Sequence, residues 1–204
     1  MIFQYSGRQF SIPLKVEGYF QAMNILCAAG LAIASGSPSE KVFEHLKDLR
    51  PIPGRLEFCG FSKTEAKIYV DYAHTPDALT AALFSLRELT ENKITLVFGC
   101  GGGRDRFKRP IMGEIAENFA DGIIVTDDNP RNEDSDKIRK SILETCPSAI
   151  EIPNRKEAII TAINQGEKGD SILIAGKGHE KFQIISDKKI PFSDQEIIRE
   201  VIGD

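Results

Sequence analysis

Apolar residues along this chain fall into short unbroken runs and longer stretches of helical spacing, and the alternation between them marks the elements. ITLVFG (residues 94–99) is too short for a helix and is closed by glycine, so it predicts a buried strand. GIIVTD (122–127) and SILIAG (171–176) have the same form, and LEFCGF (56–61) and AKIYVDY (66–72) read as two strands across a polar turn. Between them the spacing turns helical. Leu79, Ala82, Leu83, Leu86 and Leu89 share one face of residues 76–92, and Ile111, Met112, Ile115, Ala116 and Phe119 follow Pro110, which suits a first helical turn. Residues 134–146 and 155–165 predict two more helices. FQIIS and KKIPF predict a hairpin across Asp187-Lys188, and Ser193 caps a last helix, DQEIIREVI. Strands alternating with helices predict an α/β, Rossmann-like, mostly parallel doubly wound sheet.

The first fifty residues follow another pattern. FQYSG and QFSIP read as short strands joined by a glycine turn. Residues 18–36 form a small-residue helix, and SEKVFEHLKDLR a second helix with Ser39 as its cap. Helices without a parallel sheet of their own are not a whole domain, so residues 1–53 are expected to be the tail of a domain whose body lies upstream. Pro51-Ile52-Pro53-Gly54 is the natural linker, and residues 54–204 are expected to form the second domain.

Composition narrows the function classes. With 204 residues, 41% hydrophobic and 27% charged, the chain has the make-up of an ordinary globular protein. A net charge of −4 argues against nucleic acid as the main partner. Cys27, Cys59, Cys100 and Cys146 are scattered without metal spacing, so reduced structural thiols are expected. No apolar run reaches membrane length, and a cytoplasmic protein with no membrane partner is the expectation.

The candidate chemistry lies in two loops. After ITLVFG come Gly101, Gly102 and Gly103, where a ligand can approach the backbone closely, and then Arg104, Arg106, Lys108 and Arg109. After GIIVTD come Asp128, Asn129, Pro130 and Arg131, next to Asp127. Ligands of open α/β sheets bind beyond the carboxyl ends of the strands, so both loops are expected on one rim. Arginines in one loop and two carboxylates in the other suit a zwitterion such as an amino acid, since guanidinium grips carboxylate and Asp accepts from ammonium. The same residues also fit a solvated turn, with Asp128 or Asn129 bonding its own backbone ahead of Pro130. The glycines do not fit a dinucleotide fingerprint, and GxxxxGK[ST], the usual cradle for ATP phosphates, is absent from the sequence.

Six ordered motifs carry a resemblance: PGRLE (53–57), YVDYAHTPDAL (69–79), FGCGGGRDRFKRPIM (98–112), TDDNPRNED (126–134), AGKGHE (175–180) and FSDQE (192–196). Through nearly all its length the chain resembles the carboxy-terminal part of a Mur ligase, in the branch that extends UDP-N-acetylmuramoyl-L-Ala-D-Glu by a third peptide residue. The resemblance implies that residues 1–53 end the central ATP-binding domain and residues 54–204 are the amino-acid-binding domain. It implies an ATP-dependent amide-forming ligase of peptidoglycan precursor synthesis, working through an acyl phosphate with Mg2+. Arg104, Asp128, Asn129, Arg131, Gly176 and Glu180 match amino-acid-binding positions.

Asn24, Arg55, Asp71 and His74 match positions near ATP, while Gln21 stands where relatives often carry Asn. DNPR at residues 128–131 is the pattern of enzymes that use meso-diaminopimelate. Lysine lacks the second carboxylate and would leave guanidinium donors unpaired, at roughly 1–3 kcal/mol. Lys177 and His179 read as loop stabilisers. No catalytic or metal-ligating residue is expected within the chain. The P-loop and magnesium ligands are expected ahead of Met1, which predicts a fragment without ligase activity by itself. A lysine-adding or folylpolyglutamate-type sister ligase and a non-catalytic amino-acid-binding module are the competing expectations.

Overall fold

A computed structural model describes residues 1–203, which divide into two compact units, Met1–Ile52 and a second that begins at Pro53. In the first unit, β1 (Ile2–Tyr5) and β2 (Arg8–Ser11) form an antiparallel hairpin whose turn, Ser6-Gly7, has positive φ at both residues. Helices α1 (Tyr19–Ala34) and α2 (Ser39–His45) follow. Phe43 of α2 centres a small core, its ring 5.1 Å from Phe3 and 4.7 Å from Phe10, with Ala29 and Leu46 buried beside it.

Ser39 does not cap α2. Pro38 is extended and takes the cap position, which makes Ser39 the first helical residue, and its hydroxyl donates to the Glu40 carboxylate. The continuous helix expected as far as Arg50 stops at His45 and continues only as a 3-10 turn, Leu46–Asp48.

The second unit is a six-stranded sheet. Its strands are β3 (Glu57–Phe61), β4 (Lys67–Asp71), β5 (Ile94–Phe98), β6 (Gly122–Val125), β7 (Ile150–Glu151) and β8 (Ser171–Ala175), in the order β3-β4-β8-β5-β6-β7. Every pairing is parallel except β3 with β4 at one edge. Helices α3 (Pro76–Arg87), α4 (Lys108–Phe119) and α5 (Ser135–Leu143) connect strands stepping one way across the sheet. The connection from β7 back to β8 runs the opposite way through α6 (Arg155–Gln165). A right-handed crossover then places α6 on the other face, and α7 (Asp194–Ile202) packs beside it.

Period-2 alternation divides the strands between the two layers. Ile68, Val70, Val97, Ile124, Ile172 and Ile174 pack with α6 and α7, and the alternate residues Tyr69, Leu96, Phe98 and Leu173 are equally buried. Three of the helix starts carry oxygen caps inside the motifs: Thr75 accepts from Ala78 N, Asp134 from Asp136 N and Ser193 from Glu196 N. β7 escapes sequence patterning because two residues hold no period. β9 (Phe182–Ile185) and β10 (Lys188–Pro191) form the expected hairpin, turning one residue earlier, at Ser186-Asp187. Among the described residues no helix is long and apolar enough to cross a membrane, and all four cysteines are free thiols.

Candidate functional site: a two-signed cavity beyond the strand ends

The loops that leave β4, β5, β6 and β8 at their carboxyl ends meet around a cavity of about 420 Å³, within the usual range for small-molecule sites. Its wall carries Arg104 from the loop after β5, Asp128, Asn129 and Arg131 from the loop after β6, and Gly176 and Glu180 from the loop after β8. Tyr72, His74 and Thr75 close it from the end of β4.

These loops hold one another. Gly102 N donates to Asn129 O at 2.9 Å, and Arg131 Nη1 donates to Gly102 O at 3.0 Å and to Asn129 O at 3.3 Å. A Cβ on Gly102 would stand 1.9 Å from Pro130 O. The close approach expected of this glycine is therefore to the neighbouring loop rather than to a ligand. Arg131 itself sits at φ 52°, a left-handed conformation that a non-glycine residue keeps only where its surroundings demand it. Glu133 accepts from both terminal nitrogens of the buried Arg109, at 2.9 and 2.8 Å, and from Gly103 N at 3.1 Å. The Arg109 bonds hold the Glu133 carboxyl far down, at about 2. Of the four cations in the first loop, Arg106 and Arg109 are thus bound to Glu133, and Lys108 donates to His74 O. Arg104 makes no hydrogen bond or ion pair among the described residues and faces the cavity.

The acidic half is built on buried charge. Asp128 is 7% exposed, and its carboxylate has no hydrogen-bond donor among the described residues. Burial pushes its carboxyl up, against the pull of Arg155 and Lys177. Gly176, at φ 114°, leaves room for it: a Cβ there would stand 2.6 Å from Asp128 Oδ2. Burial also raises Glu180, but bonds from Asn129 Nδ2 (2.8 Å) and Lys177 Nζ (3.0 Å), with the Lys177 charge, outweigh it and hold the group below the usual range. Beneath lies Arg155, wholly buried, bidentate to Asp194 at 2.8 Å through each nitrogen and bonded to Ala175 O at 3.0 Å.

The family description "Mur ligase, glutamate ligase domain" matches residues 54–178. The chain belongs to the Mur ligase family. The UDP-N-acetylmuramoyl-L-alanyl-D-glutamate--2,6-diaminopimelate ligase of Chelativorans sp. (strain BNC1) is 50% identical to it over 199 residues, 98% of this chain and 41% of that protein. The chain therefore spans about two fifths of the length of the curated relatives it matches. A solved structure of a ligase of that same name superposes with a TM-score of 0.72 at 35% identity, over 97% of this chain and 41% of that one. A folylpolyglutamate synthase of Mycobacterium tuberculosis, complexed with ADP and AMPPCP, shares the fold at 20% identity and a TM-score of 0.66, over 96% of this chain and 43% of that one.

All six positions matched to amino-acid binding in Mur ligases line this cavity, and so does His74. Arg55 lies with its guanidinium carbon 4.6 Å from the centre of the Tyr72 ring, beside the cavity wall. Asp71 does not reach the cavity. It accepts from Leu56 N and Ala73 N, each at 2.6 Å, so its buried carboxylate fastens backbone. Asn24 is exposed on α1 of the first unit. The expectation that Asp127 faces the ligand with Asp128 is corrected: Asp127 pairs with Arg139, which also binds Asp136 and Glu151. His74 Nδ1 donates to Tyr72 O at 2.9 Å, so its turn-holding role and its place on the cavity coexist. Sequence patterning missed Tyr72, an aromatic that only the β4 turn aims into the cavity.

Proposed function

We propose that this chain is the carboxy-terminal part of an ATP-dependent ligase that adds meso-diaminopimelate to UDP-N-acetylmuramoyl-L-Ala-D-Glu. Residues 1–53 would end its ATP-binding domain, residues 54–204 would form its amino-acid-binding domain, and the setting would be the cytoplasm. The observation that carries this reading is the two-signed cavity, lined by Arg104 and Arg131 and by Asp128 and Glu180.

Diaminopimelate carries an ammonium and a carboxylate at its far end. The two arginines take the carboxylate in charge-assisted bonds, and Asp128 and Glu180 accept from the ammonium. Asn129 orients Glu180, and Gly176 admits the Asp128 carboxylate. The amine at the near end is then left to attack the acyl phosphate carbon of the D-glutamyl γ-carboxyl, forming the C–N bond as the C–O bond to phosphate breaks and inorganic phosphate and the amine proton leave. L-lysine offers no distal carboxylate to Arg104 or to the Arg131 donors that the loop does not use, and the names of the relatives specify diaminopimelate.

Mg2+ and the ATP phosphates do not fit the residues present. Among the described residues there is no cluster of three His, Cys, Asp or Glu side chains able to hold a metal ion, and the sequence has no phosphate loop. We assign both to the part of the longer relatives that this chain does not span, and no step here runs through them. Arg55, His74 and Asn24 remain the proposed ATP-side contacts, with Asp71 serving through the backbone it holds. The chain alone should turn over no ATP.

The test is a protein-observed NMR titration of the 204-residue chain with meso-diaminopimelate and with L-lysine. Shifts near Arg104 and residues 128–131 with diaminopimelate alone are expected. Equal binding of lysine would overturn the assigned selectivity.

A further inference from the structure

Lys177 is fully buried in the loop after β8. A lysine shut off from water is tolerated when its donors and its charge are both answered. Its Nζ donates to Asn129 Oδ1 at 3.1 Å, Glu180 Oε2 at 3.0 Å and Phe182 O at 2.6 Å, so all three protons are used in the wall of the cavity. Asn129 Oδ1 also accepts from Ile184 N at 2.9 Å, which fixes the amide with Nδ2 toward Glu180. Glu180 Oε2 thereby takes both donors.

The charges can be counted from the same geometry. Arg155 is matched by its bidentate partner Asp194. Asp128 and Glu180 remain as the two acids of the cavity, and Lys177 is the buried cation that answers one of them. One negative charge is left, on the side with Asp128. Arg104 and Arg131 line the same cavity, Arg131 near enough for its charge to favour the Glu180 carboxylate, and Asp105 and Lys108, of opposite sign, offset each other.

Resting on the reading of this cavity as an amino-acid site, we propose that Lys177 is a specificity-determining positioning residue. It fixes Glu180 and Asn129 and cancels one of two carboxylate charges, which sets the acidic half to receive a single ammonium. A ligand end that pairs one ammonium with one carboxylate then matches the cavity. With Lys177 neutral, the cavity gains one negative charge and favours the more cationic amino acid.

The test titrates the 204-residue chain with meso-diaminopimelate and L-lysine, following amide shifts, in the wild type, Lys177→Met, Lys177→Gln, Glu180→Gln and the double variant Lys177→Met/Glu180→Gln. Both Lys177 single variants should lower the diaminopimelate-to-lysine preference by roughly tenfold or more, as one unit charge in a partly buried site would. The double variant regains the wild-type charge count without the positioning, and should recover part of the preference lost in Lys177→Met. Should Lys177→Met fail to fold, Lys177→Gln and the double variant, which buries no unanswered charge at that point, carry the test. A wild-type preference retained in Lys177→Gln, or a double variant that stays non-selective, overturns the role of Lys177 and leaves the site intact. A wild-type chain that binds neither amino acid overturns the site reading and this inference with it.

Discussion

On one side of the loop after β6, Arg139 gathers Asp127, Asp136 and Glu151 around a single guanidinium. On the other side, one residue further along, Asp128 lies among Arg155, Lys177, Glu180 and Asp194. Both clusters hold three acids, and both contain one of two adjacent aspartates. In the first, Asp136 and Glu151 are well exposed, so water offsets the excess negative charge. In the second, Asp128, Arg155, Lys177 and Asp194 are buried, so water offsets less of the charge, and the excess rests on a carboxylate without a donor among the described residues. The difference separates an ion cluster that fastens a helix to a loop from one arranged to take a cation. Burial and the unanswered oxygen distinguish them; residue type does not.

The contrast breaks most severely at Arg155. Replacement by Met leaves Asp194 buried and unpaired, and the expected loss is about 3–5 kcal/mol in urea unfolding; a smaller loss would show that water reaches Asp194. Next, Asp128→Asn should weaken diaminopimelate binding about tenfold or more in the NMR titration, the worth of a charge-assisted bond. Its stability should move the other way. Burial raises the folded-state Asp128 carboxyl above its ordinary 3.8, so the native carboxylate favours folding only while protonated and opposes it as pH rises through that raised value. Asp128→Asn should therefore raise the unfolding midpoint near pH 7, with the gain fading as pH falls toward 3.8.

Glu133→Gln tests the support of the glycine loop with the opposite sign. Its carboxyl is lowered from 4.5 to about 2 by the Arg109 bonds. The stability it contributes is present above 4.5 and lost as pH falls through about 2, so variant and wild type should differ at pH 6 and converge across that window in thermal unfolding. The smallest effect belongs to Asp127→Asn: burial raises its carboxyl against the pull of the Arg139 bond, so the lost ion pair and the relieved burial of charge nearly cancel and unfolding should shift by about 1 kcal/mol or less, with diaminopimelate binding unchanged in the same titration. A binding loss equal to that of Asp128→Asn would erase the distinction between the clusters.

Most strands and helices could be read from the chain because period and punctuation are local properties. The run ITLVFG, Pro110 in the first turn of α4 and the capping oxygen of Ser193 each act within a few residues. β7 and the cap of α2 could not be read so, because pairing with β6 settles the first and the extended Pro38 the second. The division of labour among the four cations after β5 was equally hidden: Glu133, far along the chain, takes two of them and leaves Arg104 to the cavity.

The sequence by itself determined that the strands are mostly parallel and which two loops carry the chemistry. It also carried, in the order of its motifs, the membership of the Mur ligase family, since composition, period and motif order are one-dimensional. Only the tertiary structure decided that Asp128 lines the cavity and Asp127 does not, and that Asp71 fastens backbone while Lys177 is the hub beside Glu180. Those assignments depend on which side chains lose water together, and burial is a property of the packed chain in three dimensions.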